Sequence, residues 1–327
     1  TICIIPRRCD RRLVDISFII VNWNTRDILM DCLNSIYETV KDIDVEIYVV
    51  DNNSTDGSQV AVKNGFADVK LIENETNTGF GYANNQALRI MQGRFAVLLN
   101  SDAVLKENSV KRLLAFMTTT PRAGIAGVQL LNDDGSRQNS IDNFPSTETE
   151  IFNKSILRLF FPGKYPSKNM SYKDPIEVDS VIGACMMVRK EAIGDVGVFD
   201  EDYFIFLEET DWCFRMNKKG WKVYHVPDAE VFHLSGHSKK RTPWRSQIEY
   251  YISLYKFFKK NRTQASYLTL RVLKPCKIFI NLILNILGNL ITLFQKEGLR
   301  NRLLKYYKLS VWHLLMCPDS MGIQKKP

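Results

Sequence analysis

The chain has 327 residues, of which 45% are hydrophobic and 24% charged, so it can bury a full core and is not a disordered protein. Its net charge of +8 is unevenly distributed: residues 1–14 carry +3, residues 239–327 carry +15, and residues 15–238 therefore carry −10. This distribution argues against a protein that coats nucleic acid. It suits an acidic body that holds a cation and a basic tail that meets an anionic surface.

The short basic segment 1–14 is not predicted to be a signal peptide, because its apolar stretch is too short and precedes the charges. We expect it to be a mobile or membrane-touching lead-in. The seven cysteines are scattered without a CxxC pair, which favours a reducing cytoplasm over a disulfide framework. Cys32, Cys185 and Cys213 lie within apolar patterns and are predicted to be small core residues.

From residue 16 onward, strand and helix patterns alternate. Ile16–Val21 is a continuous apolar strand, and Thr25–Val40 has the apolar spacing of a helix. The alternation continues with strand Val45–Val50, a helix from Ser58, strand Val69–Glu73, helix Tyr82–Met91, strand Phe95–Asn100 and helix Ser109–Thr118. It predicts an α/β fold with a mainly parallel central sheet and helices on both faces.

The second part of the body is less regular. Leu131–Tyr172 is rich in turn residues and is predicted to be a long surface connection. A buried strand is predicted at Val181–Val188 and a helix at Leu207–Lys219. Two further strands are predicted at Val223–Val226 and Ala229–His233.

Polar side chains follow the first two strands where each one ends. Asp51 follows the second strand, and Asn53 lies in the turn after it. Asn22 and Asn24 follow the first strand. Ligands of open α/β sheets bind beyond the carboxyl ends of the strands, so these residues are candidates for binding a nucleotide. Asp51 would accept the imide N–H of a uracil or thymine ring. Alternatively, Asp51 only caps the next helix.

A glycine-bearing turn enters the helix at residue 82. Asn77 and Gly79 belong to this turn, and Asn85 lies one turn inside the helix. Backbone N–H groups of the turn and the Asn85 amide are candidates for further nucleotide contacts. The alternative is a flexible turn that only starts a helix.

The third strand end offers a metal site. Asn100, Ser101 and Asp102 follow the apolar run 95–99, and a hard cation such as Mg²⁺ or Mn²⁺ takes one or two carboxylates together with phosphate oxygens. We predict that Asp102 binds the metal and that Asn100 and Ser101 lie beside the nucleotide. His233, at another strand end, is a candidate second ligand. The alternatives are a helix cap before Ser109 and a structural histidine.

Three acids open the helix near residue 208, and they are the candidate catalytic residues. Glu208 and Glu209 lie in its first turn, where a carboxylate can take the proton of an attacking hydroxyl. Asp211 is a third candidate, although its spacing to Arg215 also predicts an ordinary helix ion pair. Acids are also common at helix N-termini for electrostatic reasons alone.

The basic C-terminal region, 239–327, is predicted to be helical and to associate with an anionic membrane surface. Ile278–Phe294 contains no charge, is marginal in length for a span, and carries Asn281, Asn285 and Asn289 on one helical face. This pattern fits a helix that lies in the membrane interface or packs against a partner. The alternative is a buried amphipathic helix.

Taken in order, these motifs closely resemble family 2 glycosyltransferases, most of all the bacterial rhamnosyltransferases that extend lipid-linked polysaccharide. The motifs are Ser17–Asn24, Val49–Ser58, Asn77–Gly81, Leu98–Asp102, Gly183–Arg189 and Glu208–Arg215. The resemblance covers roughly residues 15–238. It implies the GT-A fold in a single domain, in which a nucleotide-binding half is fused to an acceptor-binding half.

The resemblance also implies roles for individual residues. Asp51 would contact the base, and Asp102 would hold the metal at the family's Asp-x-Asp position, where Asn100 replaces the first Asp. His233 matches a metal-binding histidine of related enzymes. Glu209 falls where the family places its catalytic Asp, one methylene longer, so Glu208 remains a rival. The strand from Gly183 would line the acceptor side.

The function implied is that of a metal-dependent inverting glycosyltransferase that moves L-rhamnose from dTDP-rhamnose to a lipid-linked acceptor in cell-surface glycan synthesis. Its place would be the cytoplasmic face of the bacterial inner membrane, peripheral or C-terminally anchored. Alternatives are a UDP-hexose donor, a sugar-1-phosphate nucleotidyltransferase, and a non-catalytic sugar-nucleotide-binding subunit. A homo-oligomer is left open, and a nucleic-acid partner is not expected.

Overall fold

The computed structural model describes residues 14–152, 154–161, 172–234 and 243–323. The prediction for residues 1–13 of the N-terminal lead-in and that for residues 239–242 of the basic C-terminal region lie outside these ranges. Strands and helices are numbered in chain order. The strands are β1 (Ile16–Asn22), β2 (Val45–Asp51), β3 (Val69–Glu73), β4 (Phe95–Asn100), β5 (Ala103–Leu105), β6 (Ala123–Leu131), β7 (Ile141–Asp142), β8 (Ile176–Glu177), β9 (Ser180–Val181), β10 (Cys185–Arg189) and β11 (Lys222–His233). The α-helices are α1 (Arg26–Thr39), α2 (Ser58–Gly65), α3 (Phe80–Leu88), α4 (Ser109–Thr119), α5 (Thr147–Ile151), α6 (Lys154–Phe160), α7 (Lys190–Val196), α8 (Glu208–Lys218), α9 (Pro243–Asn261), α10 (Gln264–Ile291) and α11 (Glu297–Leu314).

The main sheet has the strand order β3-β2-β1-β4-β10-β6-β11-β5, and β8 pairs with β11. Strands β1 to β4 run parallel, as the alternation of strands and helices predicts. Strand β10 enters antiparallel between β4 and β6, whereas β6 is parallel to β11. The antiparallel insertion is the part of the topology that the sequence patterns did not indicate.

The register of the parallel strands brings their polar ends to the same level. Asn22 is paired with Asp51, and Val21 is paired with Asn100. Because parallel strands present their carboxyl ends at one edge, the polar residues after β1, β2 and β4 lie together at this edge. The sheet therefore assembles the candidate site before any side-chain contact is considered.

The core lies on both faces of the sheet. On one face α1 contributes Leu29, Cys32, Leu33 and Ile36 at the predicted helical spacing. The predicted core cysteines are buried thiols, and burial raises the pKa of Cys185 to about 12. Such thiols are protonated and inert at neutral pH.

Three sequence predictions about the second half are wrong in detail. Residues 131–152 and 154–161 of the predicted surface connection 131–172 contain regular structure, namely β7, α5 and α6, while residues 153 and 162–171 lie outside the described ranges. The strand predicted at Val181–Val188 is interrupted around Gly183, between β9 and β10. The two strands predicted between residues 223 and 233 form one strand, β11, with a bulge between Val226 and Glu230.

The C-terminal helices α9, α10 and α11 pack on the α/β body. Their shared core includes Ile248, Phe257 and Trp312, together with Tyr203 of the body. A buried ion pair between Lys274 Nζ and Glu150 Oε2 (2.6 Å) joins α10 to α5. Within the described ranges, no helix has both the length and the hydropathy needed to cross a bilayer.

The buried carboxylate of Glu46 links the N-terminal ends of β1 and β2. Glu46 accepts hydrogen bonds from Ser17 Oγ (2.6 Å), Tyr48 Oη (3.0 Å), Lys70 Nζ (2.6 Å) and the Gln92 backbone (2.6 Å). Burial alone would raise the pKa of Glu46, but the hydrogen bonds outweigh it and lower this pKa to about 2. The carboxylate therefore stabilises the folded state above its unfolded pKa, near 4.5.

We expect Glu46→Gln to lower the free energy of unfolding by about 2–3 kcal/mol at pH 7, because the charged hydrogen bonds are lost. The difference from the wild type should shrink as the pH falls from about 4.5 towards 2, where the native carboxylate itself becomes protonated. Urea unfolding at several pH values measures this. Glu73→Gln, which removes an exposed ion pair with Lys63, is the control and should change stability by less than about 1 kcal/mol. A pH-independent difference for Glu46→Gln would contradict the assignment.

Candidate active site

The loops after β1 and β2 form the first part of the site. Asn22 Nδ2 donates to Asp51 Oδ2 (2.7 Å) and to Ser54 Oγ (3.1 Å), and Asn22 and Asp51 are both buried. Asn24 Oδ1 accepts from the backbone N–H of Thr55 (2.7 Å). The two strand ends therefore meet through direct hydrogen bonds, at the edge where the sequence places them.

The role predicted for Asp51 needs correction. Its Oδ1 accepts from the backbone N–H of Ser54 (2.8 Å) and from Gln59 Nε2 (2.6 Å), while Oδ2 accepts from Asn22. The residue is 1% exposed, so in this conformation its carboxylate does not present an acceptor to a base. Asp51 instead holds the loop in shape.

The side chains that these two loops expose are those of Asn53 and Trp23, not that of Asp51. Asn53 is exposed and has a left-handed backbone (φ 62°), and Trp23 is 39% exposed between Asn22 and Asn24. The sequence reasoning missed Trp23, although a large aromatic residue between two strand-end asparagines was a usable signal. Its indole offers a flat apolar surface on which a base or sugar ring can stack.

The glycine-bearing turn 77–80 packs against the segment before α8. Gly79 has φ 86°, and a Cβ added there would lie 2.4 Å from the Phe204 carbonyl oxygen. The backbone N–H of Phe80 donates to that same carbonyl (2.8 Å), and Asn77 Oδ1 accepts from the Gly79 N–H (3.0 Å). The turn therefore braces the segment that leads to α8, and Gly79 is needed for this close approach.

Asn85 also has a structural role, contrary to the prediction. It is fully buried, its Oδ1 accepts from the Phe199 backbone N–H (3.0 Å), and its Nδ2 donates to the Phe199 carbonyl (2.9 Å) and to Glu201 (2.9 Å). No part of the amide is left for a nucleotide. Asn85 holds the segment around residue 200 against α3.

The residues after β4 connect the loops to the predicted metal site. Ser101 Oγ lies 2.9 Å from Thr25 Oγ1, which donates to Asn22 Oδ1 (2.6 Å). The backbone N–H of Asn100 donates to the Ala184 carbonyl (2.9 Å), just before β10. The segment after β4 that bears Asp102 is therefore linked to the loop after β1 on one side and to the Gly183 segment on the other.

Asp102 and His233 come together, as predicted. His233 Nε2 lies 3.4 Å from Asp102 Oδ1, because the end of β11 pairs with β5 and the Leu234 N–H donates to the Asp102 carbonyl (2.9 Å). Both side chains are mostly buried yet partly accessible, at 13% and 17% exposure. Their separation is close to the ~3.0 Å between neighbouring ligands of a cation with bonds of about 2.1 Å.

Gln138 determines which nitrogen of His233 is available. Its Nε2 donates to the His233 carbonyl (2.6 Å), so its Oε1 is the atom that faces His233 Nδ1 (3.0 Å). An oxygen there requires Nδ1 to carry the proton, which leaves the lone pair of neutral His233 on Nε2, towards Asp102. Sequence reasoning missed Gln138, which lies in the turn-rich connection and carries no motif.

Asp102 and His233 are a pair rather than a complete metal cage. Across the described ranges, no group of three or more His, Cys, Asp or Glu side chains is placed to hold a metal ion. A carboxylate oxygen and an imidazole nitrogen 3.4 Å apart fit Mg²⁺ or Mn²⁺ when phosphate oxygens and water supply the other ligands.

The acidic residues at the start of α8 lie in three different environments. Glu208 is 5% exposed, and its Oε2 has no hydrogen-bond partner among the described residues. Burial, and secondly the adjacent Glu209 carboxylate, raise the pKa of Glu208 well above its ordinary value. Glu209 is partly exposed, although its Oε2 is buried, and it packs beside Gly183, where an added Cβ would lie 3.6 Å from the Glu209 side chain. Glu209 is thus the acid of this pair that contacts the segment around Gly183.

Asp211 is structural, so its prediction as a catalytic candidate is wrong. It is 1% exposed, Arg215 Nε donates to its Oδ2 (2.7 Å), and Asn261 Nδ2 donates to its Oδ1 (2.6 Å). The alternative reading as an ordinary i,i+4 ion pair was correct. Through Asn261 the same carboxylate also attaches α9 to α8.

The segment before α8 is held in an unusual conformation. Phe206 (φ 71°) and Leu207 (φ 63°) both have left-handed backbones, which non-glycine residues seldom adopt. The Phe206 ring lies 6.3 Å from the Tyr250 ring, and Ser253 Oγ donates to the Ile205 carbonyl (2.9 Å). Helix α9 therefore stabilises the turn that sets the direction of Glu208 and Glu209.

Comparison with known proteins identifies the family of this chain. The model of glycosyl transferase family 2 matches residues 17–197. An N-acetylglucosaminyl-diphospho-decaprenol L-rhamnosyltransferase of Mycobacterium tuberculosis is 31% identical over 230 residues, which are 65% of this chain and 74% of that protein. A dTDP-rhamnosyl transferase of Shigella flexneri is 26% identical over 224 residues, 67% of this chain and 68% of that protein.

The fold also has a solved relative. A mannosyltransferase from Pyrobaculum calidifontis, solved with GDP-Man and Mn²⁺, superimposes with a TM-score of 0.56 at 16% identity over 93% of this chain and 88% of that one. The mixed sheet is that of a GT-A-like fold, as the resemblance implied. The chain belongs to glycosyl transferase family 2, in its rhamnosyltransferase-like part.

Proposed function

We propose that this glycosyltransferase moves L-rhamnose from dTDP-rhamnose to a lipid-linked acceptor sugar, with inversion at the anomeric carbon. The observation that carries the mechanism is the contrast between two adjacent carboxylic acids at the start of α8. Two neighbouring acids in different environments mark the acid and base assignments of many active sites. The names of the Mycobacterium and Shigella relatives support rhamnose as the sugar, and the former supports a lipid-diphosphate acceptor.

Glu209 is the proposed general base. Burial, and secondly the adjacent Glu209 carboxylate, raise the pKa of Glu208 well above its ordinary value, which favours Glu208 as the protonated member of the pair. Glu209 borders Gly183, and the acceptor hydroxyl is proposed to approach there. Glu209 takes the proton of that hydroxyl as its oxygen bonds to the anomeric carbon, and the bond from this carbon to the diphosphate oxygen breaks on the opposite face.

Asp102 and His233 would hold Mg²⁺ or Mn²⁺ on the leaving-group side. A divalent cation bound there neutralises the negative charge of the departing nucleoside diphosphate. Asp102 supplies an anionic oxygen, and His233 supplies the Nε2 lone pair that Gln138 directs towards it. Asn100, which replaces the first acid of the family's motif, leaves this site with one carboxylate, and the imidazole compensates for the missing ligand.

The remaining residues predicted to contact the sugar nucleotide lie at the carboxyl edge of the sheet. Asn24, Asn53, Asn77 and Ser101 lie on the loops around the strand ends. We propose that these loops hold the nucleotide, with Trp23 beside it, and that Asn22, Asp51 and Asn85 act from within the protein by fixing the loops. The proposed location is the cytoplasmic face of the bacterial inner membrane, where a lipid-linked acceptor and a soluble donor meet.

We expect Glu209→Gln to lower the transfer rate by about 10²- to 10⁴-fold with little change in donor binding, because only the proton acceptor is removed. The matched variant Glu208→Gln should keep most of the activity, since an amide resembles the neutral acid that the raised pKa of Glu208 favours. Single-turnover assays with dTDP-rhamnose, together with donor titration, measure both effects. Equal losses in the two variants would contradict the assignment of Glu209.

A second prediction concerns the orientation of His233. We expect Gln138→Leu to weaken the apparent Mn²⁺ affinity about 10- to 100-fold, because both tautomers of His233 become available. High Mn²⁺ should restore most of the rate in this variant but not in Asp102→Asn, in which a metal ligand is lost. Activity measured against Mn²⁺ concentration checks this. An unchanged metal dependence in Gln138→Leu would remove the proposed role of Gln138.

The proposed function as a whole is tested by a donor panel. Purified protein is incubated with Mg²⁺ or Mn²⁺ and dTDP-, UDP- or GDP-sugars, with and without a lipid-diphosphate-linked sugar, and nucleoside diphosphate release is measured. We expect acceptor-dependent release of dTDP. Preference for a UDP-hexose would change the donor, release of pyrophosphate would indicate a nucleotidyltransferase, and donor binding without turnover would indicate a non-catalytic subunit.

A further inference from the structure

The second half of α10 has its polar and apolar faces reversed relative to an ordinary helix of a soluble protein. Asn289 is fully buried, and its Nδ2 donates to the Leu299 carbonyl of α11 (3.1 Å). Asn281 and Asn285 lie on the same side, and each donates to the carbonyl of its own helix four residues earlier. The asparagine stripe predicted from the sequence therefore faces the protein, towards α11.

Aliphatic side chains occupy the opposite, outward face. At 100° per residue, the positions diametrically across from the asparagines are those near residues 283, 287 and 290. Ile283 is 57% exposed, Leu287 is 50% exposed and Leu290 is 54% exposed. The exposed aliphatic residues of this face are Ile280, Ile283, Leu284, Leu287, Leu290 and Ile291. Water exposure of so much apolar surface on one helix is unfavourable and indicates a surface that is covered in use.

The turn between α10 and α11 extends this apolar surface and adds positive charge. Leu293 and Phe294 are exposed, and Lys296 lies two residues after Phe294. Helix α11 then carries four more basic residues, Arg300, Arg302, Lys305 and Lys308, against the single acid Glu297. Apolar residues with basic residues beside them are the pattern of a segment that lies in the interface of an anionic bilayer.

We propose that the outward face of α10, with the α10–α11 turn, docks on a bilayer that contains anionic lipid. The inward face of α10 is already occupied by α11, so only its aliphatic side remains to be covered. A second copy of the chain is the weaker occupant, because two copies joined through this face would place their basic α11 residues close together. The docking does not depend on the identity of the donor or acceptor sugar.

The test is vesicle co-sedimentation of the full chain with phosphatidylcholine vesicles that contain or lack phosphatidylglycerol. We expect binding that requires phosphatidylglycerol and that weakens as salt is raised. Ile283→Glu with Leu287→Glu should weaken binding about tenfold or more, since two apolar anchors become charged. The matched control is Val60→Glu on α2, a site that is 62% exposed and outside the proposed face; it should bind as the wild type does.

A series of charge substitutions separates the electrostatic contribution to vesicle binding from the apolar contribution. Arg300→Gln and Arg302→Gln should each weaken binding about fivefold, the equivalent of ~1 kcal/mol per basic residue near an anionic surface. Lys63→Gln on the exposed surface of α2 is the control and should have no effect. Circular dichroism and thermal melting confirm that each variant is folded.

Two results would overturn the proposal. One is equal binding of the wild type and the Ile283→Glu, Leu287→Glu variant to anionic vesicles. The other is a concentration-dependent dimer, seen by light scattering, that this variant abolishes while the wild type ignores vesicles. Since vesicle binding is measured without substrates, its failure leaves the proposed transferase activity to be judged by the donor panel.

Discussion

The backbone hydrogen bond from Asn100 to the Ala184 carbonyl joins the two halves of the site. On the Asn100 side lie the parallel strands, whose common register brings Asn22, Asp51 and Asn100 to one edge. On the Ala184 side lies the antiparallel strand β10, preceded by Gly183 against Glu209. Asp102, which follows β4, and the Gly183 segment, which precedes β10 and packs beside Glu209 of α8, are therefore joined through adjacent strands. A shift of register at this point would separate them.

The two halves are also connected by the contacts between the turn 77–80 and the segment 199–207. Phe80 donates to the Phe204 carbonyl, and Asn85 holds Phe199. The residues predicted to touch the nucleotide thus brace the segment from which α8 starts. Since two left-handed residues precede Glu208, this turn needs external support, and the turn 77–80 and α9 both provide it.

Much of the fold was predictable because its signals are local. The alternating strands and helices as far as α4, the buried cysteines, and the positions of Asp102, His233, Glu208 and Glu209 follow from periodicity and from the residues at strand ends. The insertion of β10 was not predictable in the same way, since the pairing of β10 with β4 depends on a contact across more than eighty residues of chain. The order found between residues 131 and 161 was hidden by turn residues that serve as helix caps, such as Ser146.

A sequence motif alone did not determine the role of each site residue, because that role depends on the neighbours that the fold brings to it. A strand-end Asp can face a ligand or fold back on its own loop, and only the positions of Gln59, Ser54 and Asn22 decide this for Asp51. The same holds for Asn85 and Asp211, whose partners Phe199 and Asn261 come from distant segments. Gln138 carried no signal because its role is defined entirely by its neighbour, His233.

The attachment of α9 has a practical consequence for anyone who wishes to shorten this protein. The family match ends at residue 197, and the apolar tail invites removal to improve solubility. Ser253 and Lys256, however, bind the Ile205 and Asp202 carbonyls, and Asn261 binds Asp211. A fragment that ends before α9 would retain every motif of the proposed active site but would lack the α9 contacts that hold the start of α8. The smallest active fragment is therefore expected to extend at least through α9.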